Sequence, residues 1–267
     1  MPTNAINAPA ALFLFAHQDD EYGVFQAIEA SLRLGRRVAC AYLTAGAHGS
    51  AARRNAESLA VLTGMGVAAD DVVFAGDQLG IVDGTLPRHM ETAGAWLADW
   101  LGGFQRVELI CVTAWEGGHH DHDALHFLTA HAAAGLGLGA PLRQYSLYNA
   151  FQRSGPWFNV LAPLAANGAV ERSAIGWPAR LRHLALLGRY PSQWKTWLGL
   201  FPFVLWHYLR HGCQQLQPVA LARLDQRPHD GPLYYENRRF YTWDAMQRDM
   251  AGWLAAQRER AHGGRQQ

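Results

Sequence analysis

The sequence predicts an α/β protein: a Rossmann-like, mostly parallel sheet with helices on both faces and an elaborated C-terminal portion. Three observations carry that expectation. Short, continuous apolar runs of strand length recur along the chain, helical periodicity separates them, and compact polar clusters follow two of the runs directly. Continuous rather than alternating apolar runs indicate strands buried on both faces, as in a parallel sheet covered by helices.

Residues 11–16 (ALFLFA) form the first run, followed by His17-Gln18-Asp19-Asp20 and a helical pattern over residues 21–34. Residues 37–44 (RVACAYLT) read as a second strand, 51–63 as a helix, 71–75 as a short strand and 89–101 as another helix. Residues 107–114 are a fourth buried strand, and the helix after it carries Leu125, Phe127, Leu128 and Ala132. Strand and helix alternating in this way imply right-handed βαβ crossovers. Gly135-Leu136-Gly137-Leu138-Gly139 lacks a strand before it and a helix after it, so it reads as a helix stop and turn rather than a dinucleotide loop. Beyond about Ser154 the periodicity becomes irregular and Pro, Trp and Arg become frequent. Residues 154–267 therefore read as an elaboration packed on the core of residues 1–153 within a single domain, closed by a helix over residues 243–258.

With 267 residues, 49% of them hydrophobic and 17% charged, the chain can bury one large core. The 23 Lys and Arg against 22 Asp and Glu leave a net charge of +1, so no overall field recruits nucleic acid. Cys40, Cys111 and Cys213 are odd in number, far apart and without CxxC spacing, which fits a reducing cytoplasm better than a disulfide framework. Residues 1–10 have no basic leader pattern, and the apolar run after them is too short for a signal peptide or a membrane span. The expectation is a cytoplasmic protein, at most peripheral to the inner membrane face.

In open parallel sheets ligands bind at the carboxyl ends of strands, and two polar clusters have that placement: residues 17–21 (HQDDE) after the first strand and residues 116–122 (EGGHHDH) after the fourth. A catalytic zinc takes three protein ligands from His and carboxylate and keeps a position open for water. His17, Asp20 and His122 supply that set if the two strand ends are neighbours. Asp19 can then act as general base on the attacking water, His119 can hydrogen-bond or protonate the developing intermediate, and Asp121 can orient an imidazole. Against this stands a plainer reading, in which Asp19-Asp20-Glu21 merely caps a helix and residues 119–122 form a solvated loop. His48, His89, His126 and His131 lack the placement and read as surface or packing residues.

Ala16 to Glu21 (AHQDDE), Thr44-Ala45-Gly46, the Arg53-Arg54-Asn55-Ala56-Glu57 helix start, residues 80–86 (GIVDGTL) and residues 119–122 (HHDH), in that order, resemble the PIG-L/LmbE-like deacetylase family over roughly residues 11–150. The resemblance implies a Rossmann-type fold with one zinc, and hydrolysis of the N-acetyl group of a GlcNAc-type amino sugar or its conjugate, including lipid-linked ones. It makes His17, Asp20 and His122 the zinc ligands, Asp19 the base and His119 the acid or electrostatic partner. It matches Asp83 and either Arg53 or Arg54 to positions that hold the sugar, with Arg53 favoured of the two. Gln18 departs from the proline usual in the family, restoring a backbone N–H and adding a side-chain amide.

Residues 194–209 (WKTWLGLFPFVLWHYL) are broken by Gly199 and Pro202 and flanked by basic residues. They read either as a membrane-interface segment or as a core or subunit-interface segment. Tyr234-Tyr235-Glu236 and Arg238-Arg239-Phe240-Tyr241 can stack on a sugar or meet a phosphate, or can form a solvated strand. Two His and one carboxylate also suit a non-haem Fe2+ enzyme, although such sites usually occupy all-β scaffolds. A non-catalytic sugar-binding module is the third reading, and it gives Asp19 and His119 no work.

Overall fold

The structure, a computed structural model, describes residues 8–47 and 49–263. Four strands appear where the apolar runs place them: β1 (Ala10–Phe15), β2 (Arg37–Tyr42), β3 (Val72–Phe74) and β4 (Val107–Thr113), with β5 (Leu142–Tyr145) after them. Adjacent members of the series β3-β2-β1-β4-β5 are parallel. A two-stranded hairpin follows, formed by β6 (Tyr148–Asn149) and β7 (Asn159–Val160). The C-terminal portion adds β8 (Glu171–Ala174) and β9 (Cys213–Pro218) antiparallel at the β5 edge, giving a seven-stranded mixed sheet.

Alternation along β1 sends Leu12 and Leu14 to one face and Phe13 and Phe15 to the other, which explains why the run is apolar throughout. One face is covered by α3 (Ala75–Leu79), α4 (Met90–Gly102), α5 (His120–Gly135) and the long C-terminal helix 243–263. The other is covered by α1 (Phe25–Arg33), α2 (Ala51–Met65) and the hairpin of α6 (Trp177–Leu187) with α7 (Trp194–Arg210). α8 (Tyr234–Asn237) and α9 (Trp243–Gly263) complete the chain.

Two expectations are corrected. The helix expected over residues 21–34 begins as a 3-10 turn at Asp20–Gly23, and α1 starts only at Phe25. Asp19 precedes that turn in a left-handed backbone conformation (φ 103°) with no capping hydrogen bond from its side chain, so the plain capping account of this carboxylate fails. The alternative of a surface strand at residues 234–241 gives way to α8, because Glu236 turns back to accept from Leu233 N–H (2.9 Å) and Trp243 N–H (3.0 Å). Gly135 does end α5, in a turn.

Candidate metal centre and active site

β1 lies between β2 and β4, so the chain leaves β1 toward one side of the sheet and enters β4 on the other. Loops that part at such a switch point leave a crevice at the carboxyl ends. The two polar clusters meet there. His17 Nδ1 lies 3.0 Å from His122 Nε2, His122 Nε2 lies 3.2 Å from Asp20 Oδ1, and His17 Nδ1 lies 3.6 Å from Asp20 Oδ2. Ligand atoms about 2.1 Å from one tetrahedral ion stand roughly 3.4 Å apart along the edges. The three side chains therefore have the spacing and the donor set that one small divalent ion requires.

His17, His119 and Asp121 form an overlapping group, but its lone pairs are in use. Asp121 accepts from Gly84 N–H, from Leu86 N–H (3.0 Å) and from the second ring nitrogen of His17 (3.0 Å). His119 Nδ1 accepts from Asp121 N–H (3.1 Å), capping α5 with an imidazole. Asp121 thus holds the His17 ring with Nδ1 turned toward Asp20 and His122, as carboxylates behind ligating histidines do. The cap fixes the proton of neutral His119 on Nε2, which makes that nitrogen a donor.

Burial raises the carboxyl of Asp19 well above its ordinary value, Asp20 adds to this, and Arg54 opposes it. Among the described residues no donor is hydrogen-bonded to the Asp19 carboxylate, which lines a cavity of about 180 Å³ with His17, Asp20 and His119. Burial would raise Asp20 too, but His122 and His17 outweigh it and hold the carboxyl far below the usual range, keeping it anionic. Burial, and then His17, hold His119 well below an ordinary imidazole, so it is neutral.

Residues 12–133 match the profile of a family described as PIG-L: GlcNAc-PI de-N-acetylase. That match spans less than half of the chain and marks this segment as similar to the family. No curated protein matches it. A crystal structure of a deacetylase–teicoplanin complex from the teicoplanin biosynthesis pathway resembles it with a TM-score of 0.59 at 15% identity, covering 79% of this chain and 98% of that one. The A40926 pseudoaglycone deacetylase aligns with a TM-score of 0.57 at 18% identity, covering 80% and 97%. N,N'-diacetylchitobiose deacetylase from Pyrococcus horikoshii, complexed with an inhibitor, gives 0.56 at 14% identity, covering 81% and 86%. At these identities the likeness establishes the fold.

Within the matched segment the structure separates the two arginines. Arg53 points outward, its side chain 63% exposed and paired with Glu57 (3.0 Å), and does not line the cavity. The guanidinium in the cavity belongs to Arg54, 9% exposed and paired with Asp83. The preference for Arg53 is corrected on placement, and the signal was present: Arg54, Ser58, Val61 and Leu62 form one buried helical stripe. Asp83 arrives at the cavity through a parallel bridge of Val82 to Ala45 and accepts from Thr44 Oγ (2.7 Å). Gln18 uses the amide that proline lacks, donating to Thr44 C=O (3.1 Å) and Asn55 Oδ1 (2.8 Å).

Several site residues escaped the sequence reading. Tyr148, Gln193, Thr196 and Leu200 line the cavity from the β6 and α7 regions. Glu116, fully buried, accepts from Ser146 Oγ, Leu147 N–H (2.7 Å), Tyr148 N–H (3.0 Å) and Asn149 Nδ2 (3.1 Å), and so holds the turn that delivers Tyr148. Burial pushes its carboxyl up to about 7 against those four donors. Gly118 passes against the Tyr148 carbonyl so closely that any Cβ would overlap it. His126, buried, bonds Thr113 C=O (2.7 Å), in keeping with a packing role, while His48 lies outside the described residues.

Proposed function

We propose that the protein is a metal-dependent amide hydrolase. In this reading it removes the N-acetyl group of a GlcNAc-type amino sugar or its conjugate, and His17, Asp20 and His122 hold zinc or another divalent ion such as Fe2+. The observation that carries the reading is the pairing of an unsatisfied Asp19 carboxylate with the His119 Nε2–H donor in one cavity beside the three ligands. Supporting it are the PIG-L profile and fold neighbours whose names are those of teicoplanin-pathway, A40926 pseudoaglycone and N,N'-diacetylchitobiose deacetylases.

His17, Asp20 and His122 would hold the ion, which when bound would supply Lewis-acid polarisation of an amide carbonyl and acidification of water. Asp19 accepts a proton from the attacking water as its oxygen bonds to the acetyl carbon. His119 donates a hydrogen bond where negative charge gathers on the former carbonyl oxygen. Asp19 or His119 then passes a proton to the departing nitrogen, the C–N bond breaks, and acetate and a free amine leave. The Arg54–Asp83 pair forms the polar wall against which sugar hydroxyls sit. The test is an acetate-release assay over soluble and lipid-linked GlcNAc compounds with mass detection of the amine. Acetate and amine in equal amounts support the reading, and a protein that binds these sugars without turnover overturns it.

A further inference from the structure

α7 is apolar around its whole circumference, yet only one side is covered. Trp197, Leu200, Val204 and Tyr208 face the core, while Trp194 (59% exposed), Leu198 (73%), Phe201 and Leu209 face outward. A helix apolar on all sides ordinarily has both sides buried. α6 continues the bare surface through exposed Trp177 and Leu181, and between the two helices runs an open apolar groove of about 610 Å³. An exposed apolar surface that continues across two helices marks an interaction site.

The charge around it selects the occupant. Residues 172–224 contain seven Lys or Arg and no Asp or Glu, in a chain whose totals are 23 and 22. Arg182 is matched by Glu29, and Arg180 bonds the backbone at Tyr208 (2.9 Å). The acids facing the hairpin are already engaged: Glu29 with Arg182 and His183, and Glu57 with Arg53 and Ser192. Exposed Arg189, Lys195 and Arg210 have no carboxylate partner among the described residues. A second copy docked symmetrically on this face would bring the same cations together. Tryptophan and leucine rimmed by unpaired cations instead match a bilayer interface carrying anionic headgroups.

We infer that the outward face of the α6–α7 hairpin docks on an anionic lipid surface. Among the described residues no helix is long and apolar enough to cross a membrane, so the contact is interfacial. The same helix sends Thr196 and Leu200 into the cavity from its other side, which sets the cavity close to the bilayer. The inference concerns binding alone, so its failure and that of the deacetylase reading are separable.

The experiment is vesicle co-sedimentation of the full chain, read without turnover. Wild type should bind mixed phosphatidylcholine–phosphatidylglycerol vesicles roughly tenfold or more tightly than pure phosphatidylcholine. Trp194→Ser with Leu198→Ser should weaken both by roughly a hundredfold, because both side chains leave the interface. Arg189→Glu with Arg210→Glu should weaken binding to the anionic vesicles alone by about tenfold or more. All of these side chains are exposed, and circular dichroism should show folded variants. Should the serine pair fail to fold, the charge-reversed pair decides the matter. A wild type that ignores both vesicle types, variants that bind as wild type does, or a dimer dissolved by the serine pair without any vesicle binding would each overturn the inference.

Discussion

The loops after β1 and β4 and the helical hairpin of residues 177–210 border the same cavity but are built differently. The loops bring His17, Asp19, Asp20, His119 and His122 together from two short segments, and Asp121 and the helix cap lock their rings. The hairpin contributes uncharged Thr196 and Leu200, placed there by packing of α7 on Tyr22 and Tyr190 through Trp197. Sheet topology fixes the buried His and Asp side chains, and the C-terminal packing shapes the space around them. Substitutions in the first region should change whether the reaction occurs, and those in the second should change what is accepted.

The largest effect is expected at the proposed ligands. His122→Ala should lose both bound metal and activity, measured by elemental analysis and acetate release, since two ligands do not retain a catalytic ion. Next comes Asp19→Asn, which should keep metal and lose about 10²–10⁴-fold in kcat. A metal-replete, near-normal Asp19→Asn enzyme removes Asp19 from the mechanism.

How these regions read in the sequence follows the same division. Buried parallel strands must be apolar throughout, so residues 11–16, 37–44 and 107–114 announce themselves, and the ends of the first and last locate both polar clusters. The arginine choice was also legible, because Arg54 shares a helical stripe with Val61 and Leu62 whereas Arg53 pairs with Glu57 one turn on. The wall from α7 was not. Its helix is apolar on both sides, so periodicity cannot say which side faces the cavity. Glu116 stood in the second polar cluster, but its role was not legible, since its four donors come from residues 146–149 after the neighbouring strand β5.

Intermediate effects should separate the two arginines. Arg54→Ala leaves Asp83 without its partner and should cost about 1–3 kcal/mol in thermal unfolding and raise KM, whereas Arg53→Ala should stay within about 0.5 kcal/mol of wild type. Equal effects would return Arg53 to consideration. The smallest change is expected at Thr196→Val, which removes one hydroxyl from the hairpin wall. KM should rise about two- to tenfold with metal content and kcat unchanged. A loss of metal there would break the division between the two regions.

The central claim is that His17, Asp20 and His122 hold the ion on which amide hydrolysis depends. It is tested most directly by metal content and acetate release measured on one preparation before chelation, after chelation and after zinc is restored. The account predicts about one divalent ion per chain, activity lost with the ion and recovered with zinc, and neither retained in His122→Ala. Full activity in chelated protein, or the same metal content in His122→Ala as in wild type, would contradict it.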